Sequence, residues 1–173
     1  KAIFFSFLII PVIIIYPLLK RVSNYPQLFL GIAFNWGILV GFATQNDYFS
    51  SGLIFLFLGG VFLTIAYDTI YAFQDINDDK RIGIGSLAII LEKNSKKYIF
   101  LIFFISYLFF TLSLLYLEHL SFLAGLILSI PILVSFLFQY KIFVTRKSYK
   151  LAFDSNVYTG GIITSILLLS NYF

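Results

Sequence analysis

Cysteine and methionine are absent from the 173 residues, and histidine occurs once. Without cysteine, no disulfide framework and no thiolate metal centre can form. Charge is scarce as well: only 12% of the chain is Asp, Glu, Lys or Arg, about half the share of an ordinary soluble domain. That shortage excludes disorder, because disordered segments are rich in charge and poor in apolar residues. Hydrophobic residues make up 60% of the chain, which leaves too little polar surface to cover a water-soluble core. Period-2 alternation is also missing, which excludes the wall of a transmembrane barrel. What remains is a set of long, continuously apolar runs. The net charge of +4 comes from basic residues lying between those runs, a pattern of membrane topology and not of nucleic-acid binding. The composition therefore predicts an all-α integral membrane protein, surrounded by lipid.

A helix crosses the hydrocarbon layer with about 20 mostly apolar residues. Six stretches qualify, over residues 2–19, 28–43, 52–74, 98–117, 120–140 and 152–172. Pro11, Pro17 and Pro131 fall inside two of them, where neighbouring helices can tolerate a kink. Gly31, Gly37 and Gly41 suit the second span to close helix packing. Lys20, Arg21, Lys80, Arg81, Lys93, Lys96, Lys97, Lys141, Arg146, Lys147 and Lys150 all fall at one end of the alternating spans. The positive-inside rule makes that end cytoplasmic. Asp47, Glu118 and His119 occupy the opposite connections. The chain opens Lys1-Ala-Ile-Phe-Phe without an initiator Met, and its first span starts on the non-cytoplasmic side. The expectation is a single transmembrane domain over 1–173, truncated at its N-terminus, with a cytoplasmic loop over 77–97.

Half of the eight acidic residues lie in Tyr67-Asp-Thr-Ile-Tyr-Ala-Phe-Gln-Asp-Ile-Asn-Asp-Asp79. Asp68, Asp75 and Asp79 stand at i, i+7 and i+11, with Tyr71 and Ala72 on the same stripe, so a continuous helix would present them on one face. Stacked carboxylates repel one another unless a cation lies among them. Oxygen ligands without Cys or His suit a hard ion such as Mg²⁺, which completes its shell with water and phosphate oxygens. Asp68 lies about 10 Å inside Asp75 along a helix, and an ionisable group at such depth usually faces a functional polar cavity. Asp78 reads equally well as a solvated helix end. In the adjoining Lys80-Arg-Ile-Gly-Ile-Gly-Ser86, the two basic residues can grip phosphate oxygens or serve only as topology signals. Gly83 and Gly85 would let backbone N–H groups approach an anion, and Ser86 can cap a short helix over 87–92.

This string, together with Ile82-Gly-Ile-Gly-Ser86, closely resembles the second aspartate-rich motif of the UbiA superfamily of intramembrane prenyltransferases. Within that family it is most similar to the branch that prenylates 4-hydroxybenzoate in ubiquinone synthesis. Tyr16-Pro-Leu-Leu-Lys-Arg-Val-Ser-Asn-Tyr-Pro-Gln27, running on to Asn35-Trp-Gly37, is similar to another block of the family. Phe153-Asp-Ser-Asn-Val-Tyr-Thr-Gly160 resembles the start of its last helix. Two departures occur, since the family usually has Lys where Gly85 stands and Thr where Leu87 stands.

The resemblance implies a bundle of nine helices, of which this chain would supply helices four to nine. The family's first aspartate motif has no counterpart here. The resemblance further implies that Asp75 and Asp79 hold Mg²⁺ and that Asp68, Asp75 and Asp79 are the catalytic acids. Arg21, Tyr71, Lys80, Arg81, Ser86 and Asn156 would bind substrate. The implied partners are polyprenyl diphosphate, 4-hydroxybenzoate and lipid. The implied location is the bacterial inner membrane, or else the mitochondrial inner membrane. Some of the 22 Phe and 12 Tyr would screen an allylic cation through their π faces. Two other readings stand beside this one: a cation-coupled transporter using the acidic stripe, and a non-catalytic membrane subunit.

Overall fold

The computed structural model describes residues 1–45, 50–117, 120–146 and 148–170. Asp47, Glu118, His119 and Lys147 lie outside that set. The described residues form ten α-helices with no strand among them: α1 (Ala2–Leu8), α2 (Ile10–Val22), α3 (Pro26–Gln45), α4 (Ser51–Ala72), α5 (Ile76–Ile82), α6 (Leu87–Leu91), α7 (Ser95–Leu115), α8 (Phe122–Lys141), α9 (Tyr149–Asp154) and α10 (Asn156–Leu169). Six segments are long and apolar enough to cross a membrane, with α1–α2, α6–α7, α8 with the turns after it, and α9–α10 each counting as one. The number of spans agrees with the apolar runs.

Two spans are broken where the apolar runs are continuous. The first is interrupted at Ile9, two residues before Pro11 in the first turn of α2. A proline lacks the N–H that would continue the ladder and crowds the turn before it. Pro17 and Pro131 lie inside α2 and α8 without interrupting either helix. The last span breaks at Ser155, whose Oγ donates to the Ala152 carbonyl at 2.7 Å. That local bond competes with the helical ladder. Helix α8 also continues beyond residue 140, into a wider π turn over Ile142–Arg146.

The core runs along α4, with α3 and α7 packed on its sides and α8 beyond α7. Small residues permit the close approach. A Cβ on Gly59 would meet the Phe110 ring at 3.1 Å, and one on Gly31 would meet the Val61 carbonyl at 2.9 Å. Polar side chains tie the helices together as well. Asn35 donates through Nδ2 to Thr64 Oγ1 at 3.0 Å, and Ser106 donates to the Gly59 carbonyl at 2.8 Å. Trp36 Nε1 donates to the Phe5 carbonyl at 2.8 Å, holding α1 against α3. Gly37 and Gly41, expected at a helix contact, have open space within 4 Å of the point where a Cβ would stand. They face outward, because α3 turns only its Gly31 side toward α4.

Candidate active site

The acidic residues are positioned by the place where α4 stops. The helix ends at Ala72, and the Gln74 N–H donates to the Tyr71 carbonyl at 2.9 Å, closing a turn. Phe73 anchors that turn. Its side chain is buried and its ring lies 5.8 Å from those of both Phe143 and Tyr149. Burying an aromatic ring there offsets the helical hydrogen bonds lost at the break. The chain restarts at Asp75, which precedes α5 and makes no side-chain capping bond, while its carbonyl accepts from the Asp79 N–H at 2.8 Å. The continuous helical stripe expected from the spacing is therefore absent. Asp68, Asp75 and Asp79 nonetheless line one cavity of about 150 Å³, brought together by the turn.

The cavity has three walls. One is α4 and its turn, with Asp68, Tyr71, Ala72 and Asp75. The second is α5 and the connection from it to α6, with Asp79, Ile84, Gly85 and Ser86. The third is the middle of α2 and the start of α3, with Tyr16, Pro26 and Gln27. Asp68 and Asp79 are half-buried, and Asp75 is exposed at the mouth. Tyr71 packs on Phe153 at 4.8 Å between ring centroids, which fixes the α9 side of the site.

The connection over 77–97 is mostly helical, holding α5 and α6. Helix α5 ends at Gly83, with φ of 72°, a left-handed conformation that glycine adopts without strain. Ser86 caps α6, its Oγ accepting from the Ala88 N–H at 3.1 Å. The Leu87 N–H donates to Gln27 Oε1 at 3.1 Å. Two N–H groups at the start of α6 are thus already engaged by the protein. Gly85 has a packing reason, since a Cβ there would strike the Ser23 carbonyl and Asn24 Oδ1.

Of the residues singled out by sequence, Asp68, Tyr71, Asp75, Asp79 and Ser86 are brought together, and Arg21, Lys80, Arg81 and Asn156 do not line the cavity. Lys80 Nζ pairs with Glu92 at 2.6 Å, and Arg81 pairs with Asp78 at 3.5 Å on the exposed side of α5. Arg21 is exposed at the end of α2. Asn156 begins α10 and accepts through Oδ1 from Gln139 Nε2 at 3.3 Å, a bond that joins α10 to α8. Tyr16 and Gln27 were missed. A polar residue beside Pro26, in the first turn of an apolar span, was the available signal.

Among the described residues, no three Asp, Glu, His or Cys side chains lie close enough to hold a metal ion by themselves. The donor set is all oxygen, the chemistry that Mg²⁺ accepts, and such an ion is commonly held by one or two carboxylates together with substrate phosphates. The cavity fits a metal brought or completed by an anionic substrate, and does not fit a self-sufficient protein cage.

The UbiA prenyltransferase family matches residues 1–155. The chain is 33% identical over 169 residues to a 4-hydroxybenzoate octaprenyltransferase of Haemophilus ducreyi, covering 94% of this chain and 59% of the relative. It is 52% identical over 85 residues to the mitochondrial 4-hydroxybenzoate polyprenyltransferase of Drosophila melanogaster, covering 49% of this chain and 22% of the relative. With the corresponding human protein it shares 46% identity over 88 residues, 50% of this chain and 24% of that one. The chain thus spans less than two thirds of the curated relatives it matches. No solved structure matches it. The chain belongs to the UbiA prenyltransferase family.

Proposed function

We propose that this chain forms the second aspartate-bearing part of a Mg²⁺-dependent aromatic polyprenyltransferase. The reaction moves a polyprenyl group from its diphosphate to the ring of 4-hydroxybenzoate, in ubiquinone synthesis. The observation that carries the reading is the convergence of Asp68, Asp75 and Asp79 on one cavity, at the end of the bundle where the basic residues cluster. We assign the protein to the bacterial inner membrane, with the cavity opening to the cytoplasm. Relatives of both bacterial and mitochondrial kinds carry this chemistry in their names.

In the proposed reaction, the C–O bond of the prenyl diphosphate breaks and its electron pair leaves with diphosphate. The allylic carbon then bonds to the ring carbon beside the phenol, and a base removes the proton from that carbon. Asp75 and Asp79 would hold Mg²⁺, which when bound neutralises charge developing on the leaving oxygens. Asp68, deeper along α4, is assigned to the acceptor end. Tyr71 and Ser86 would line the bound substrates. Arg21, Lys80 and Arg81 would draw anionic substrates to this end of the bundle through long-range attraction. For Lys80 and Arg81, direct phosphate contact would require exchanging their present partners. Asn156 acts at most through its bond to Gln139.

Calorimetric titration of the purified chain with Mg²⁺, with and without inorganic diphosphate, tests the reading. Little heat is expected without diphosphate, and weak binding lost in Asp75→Asn is expected with it. Tight Mg²⁺ binding that ignores diphosphate would instead favour the cation-coupled transporter.

A further inference from the structure

The third wall of the cavity is fastened by one side chain to the segment on the C-terminal side of the aspartates. Gln27, in the first turn of α3, is only 3% exposed. Its Oε1 accepts from the Leu87 N–H at 3.1 Å, and its Nε2 donates to Ser86 Oγ at 3.4 Å. These residues are about sixty positions apart, so the bonds are tertiary. Directly beside them, Gly85 presses against the Ser23 carbonyl so closely that no Cβ fits. The two loops therefore meet without a gap, and Gln27 is the only side chain shown bonding across them to Ser86 and Leu87 among the described residues.

We propose that Gln27 is a positioning residue of the acidic cavity: its amide fastens the Gly85–Leu87 lip to α3 while keeping that wall electrically neutral. The choice of amide is informative. A glutamate of the same length would still accept from the Leu87 N–H. It would lose the donor to Ser86, however, and would add a fourth carboxylate to a cavity that already holds three. Like charges in one site disfavour each other's ionised forms and repel an anionic ligand. Glutamine supplies the acceptor the lip requires, a donor for Ser86, and one further N–H on a group that lines the cavity. This inference rests on reading the cavity as the site of diphosphate departure.

The test uses protein expressed from its full gene and reconstituted in lipid, as wild type, Gln27→Ala, Gln27→Glu and Asp75→Asn. Amide hydrogen exchange at Leu87 reads the fastening without reference to the reaction. Steady-state transfer from prenyl diphosphate reads the site. Removing the acceptor in Gln27→Ala should accelerate Leu87 exchange by about tenfold, the scale of one lost buried hydrogen bond. Gln27→Glu should keep Leu87 exchange near wild type, yet raise KM for prenyl diphosphate by about tenfold through charge repulsion. Unchanged Leu87 exchange in Gln27→Ala would overturn the fastening. An unchanged KM in Gln27→Glu would overturn the electrostatic role and leave only a structural strut. If Asp75→Asn transferred normally, the reading of the cavity would be at fault, and the exchange measurement would still judge the fastening by itself.

Discussion

Helix α4 and the α1–α2 span are both apolar throughout, yet they lie in different surroundings. By mean hydropathy the α1–α2 span is the most apolar of the six, and apart from Ile9 between its two helices none of its described side chains is buried. In α4, half of the residues are buried. Lipid tails are as apolar as leucine, so hydrophobicity alone does not draw a helix into a bundle. Small and hydroxyl-bearing residues do, and α4 buries Gly52, Gly59, Gly60, Thr64 and Thr69. The α1–α2 span leaves Ile, Leu and Phe side chains exposed instead. The most tightly held helix is also the one that carries Asp68 and leads into Asp75. A site built on a rigid element keeps its groups in register.

Substitutions along α4 and its counterparts can sharpen or break this contrast. The largest effect is expected at its C-terminal end: Asp75→Asn and Asp79→Asn should each lower prenyl transfer by at least about 100-fold, the scale of losing a group that stabilises developing charge. Asp47→Ala, just before α4 on the other side, should leave the rate within about threefold, since no charge partner or substrate group is expected there. Equal losses at both ends would break the orientation. Next comes packing. Gly59→Leu forces a side chain into the Phe110 ring and should destabilise the protein in detergent by roughly 3 kcal/mol. Ile14→Leu in α2, where the side chain is exposed, should change the unfolding midpoint hardly at all.

Smaller still is the polar tie. A double-mutant cycle of Asn35→Leu and Thr64→Val should return a coupling near 0.6 kcal/mol, about the average for hydrogen bonds between membrane helices. At the bottom of the scale, Gly37→Ala meets no neighbour, and should be neutral or stabilising by up to about 1 kcal/mol. A large loss at Gly37 would mean that this face of α3 is covered.

The sequence carried the spans because they are written locally, in continuous apolar runs. It also carried Ser86 as a cap, because capping depends on one side chain and its own backbone. The break after Ala72 was not legible. Its cause is the burial of Phe73 against Phe143 and Tyr149, residues about seventy positions away. The aspartate spacing suggested a shared face on one helix, whereas a turn sets the three residues around one cavity. Gln27 escaped for the same reason, since its partners lie at the start of α6. Lys80 and Arg81 read in sequence either as phosphate ligands or as topology signals, and in the fold they pair with Glu92 and Asp78.

The cavity lined by Asp68, Asp75 and Asp79 is, on this account, where diphosphate leaves during ring prenylation. Its most direct test is incorporation of radiolabelled polyprenyl diphosphate into 4-hydroxybenzoate, by membranes holding the protein from its full gene, as Mg²⁺ is titrated. The account predicts labelled, lipid-extractable product that rises with Mg²⁺, vanishes with a chelator and is lost in Asp75→Asn. Product formation indifferent to both the chelator and the substitution would contradict it.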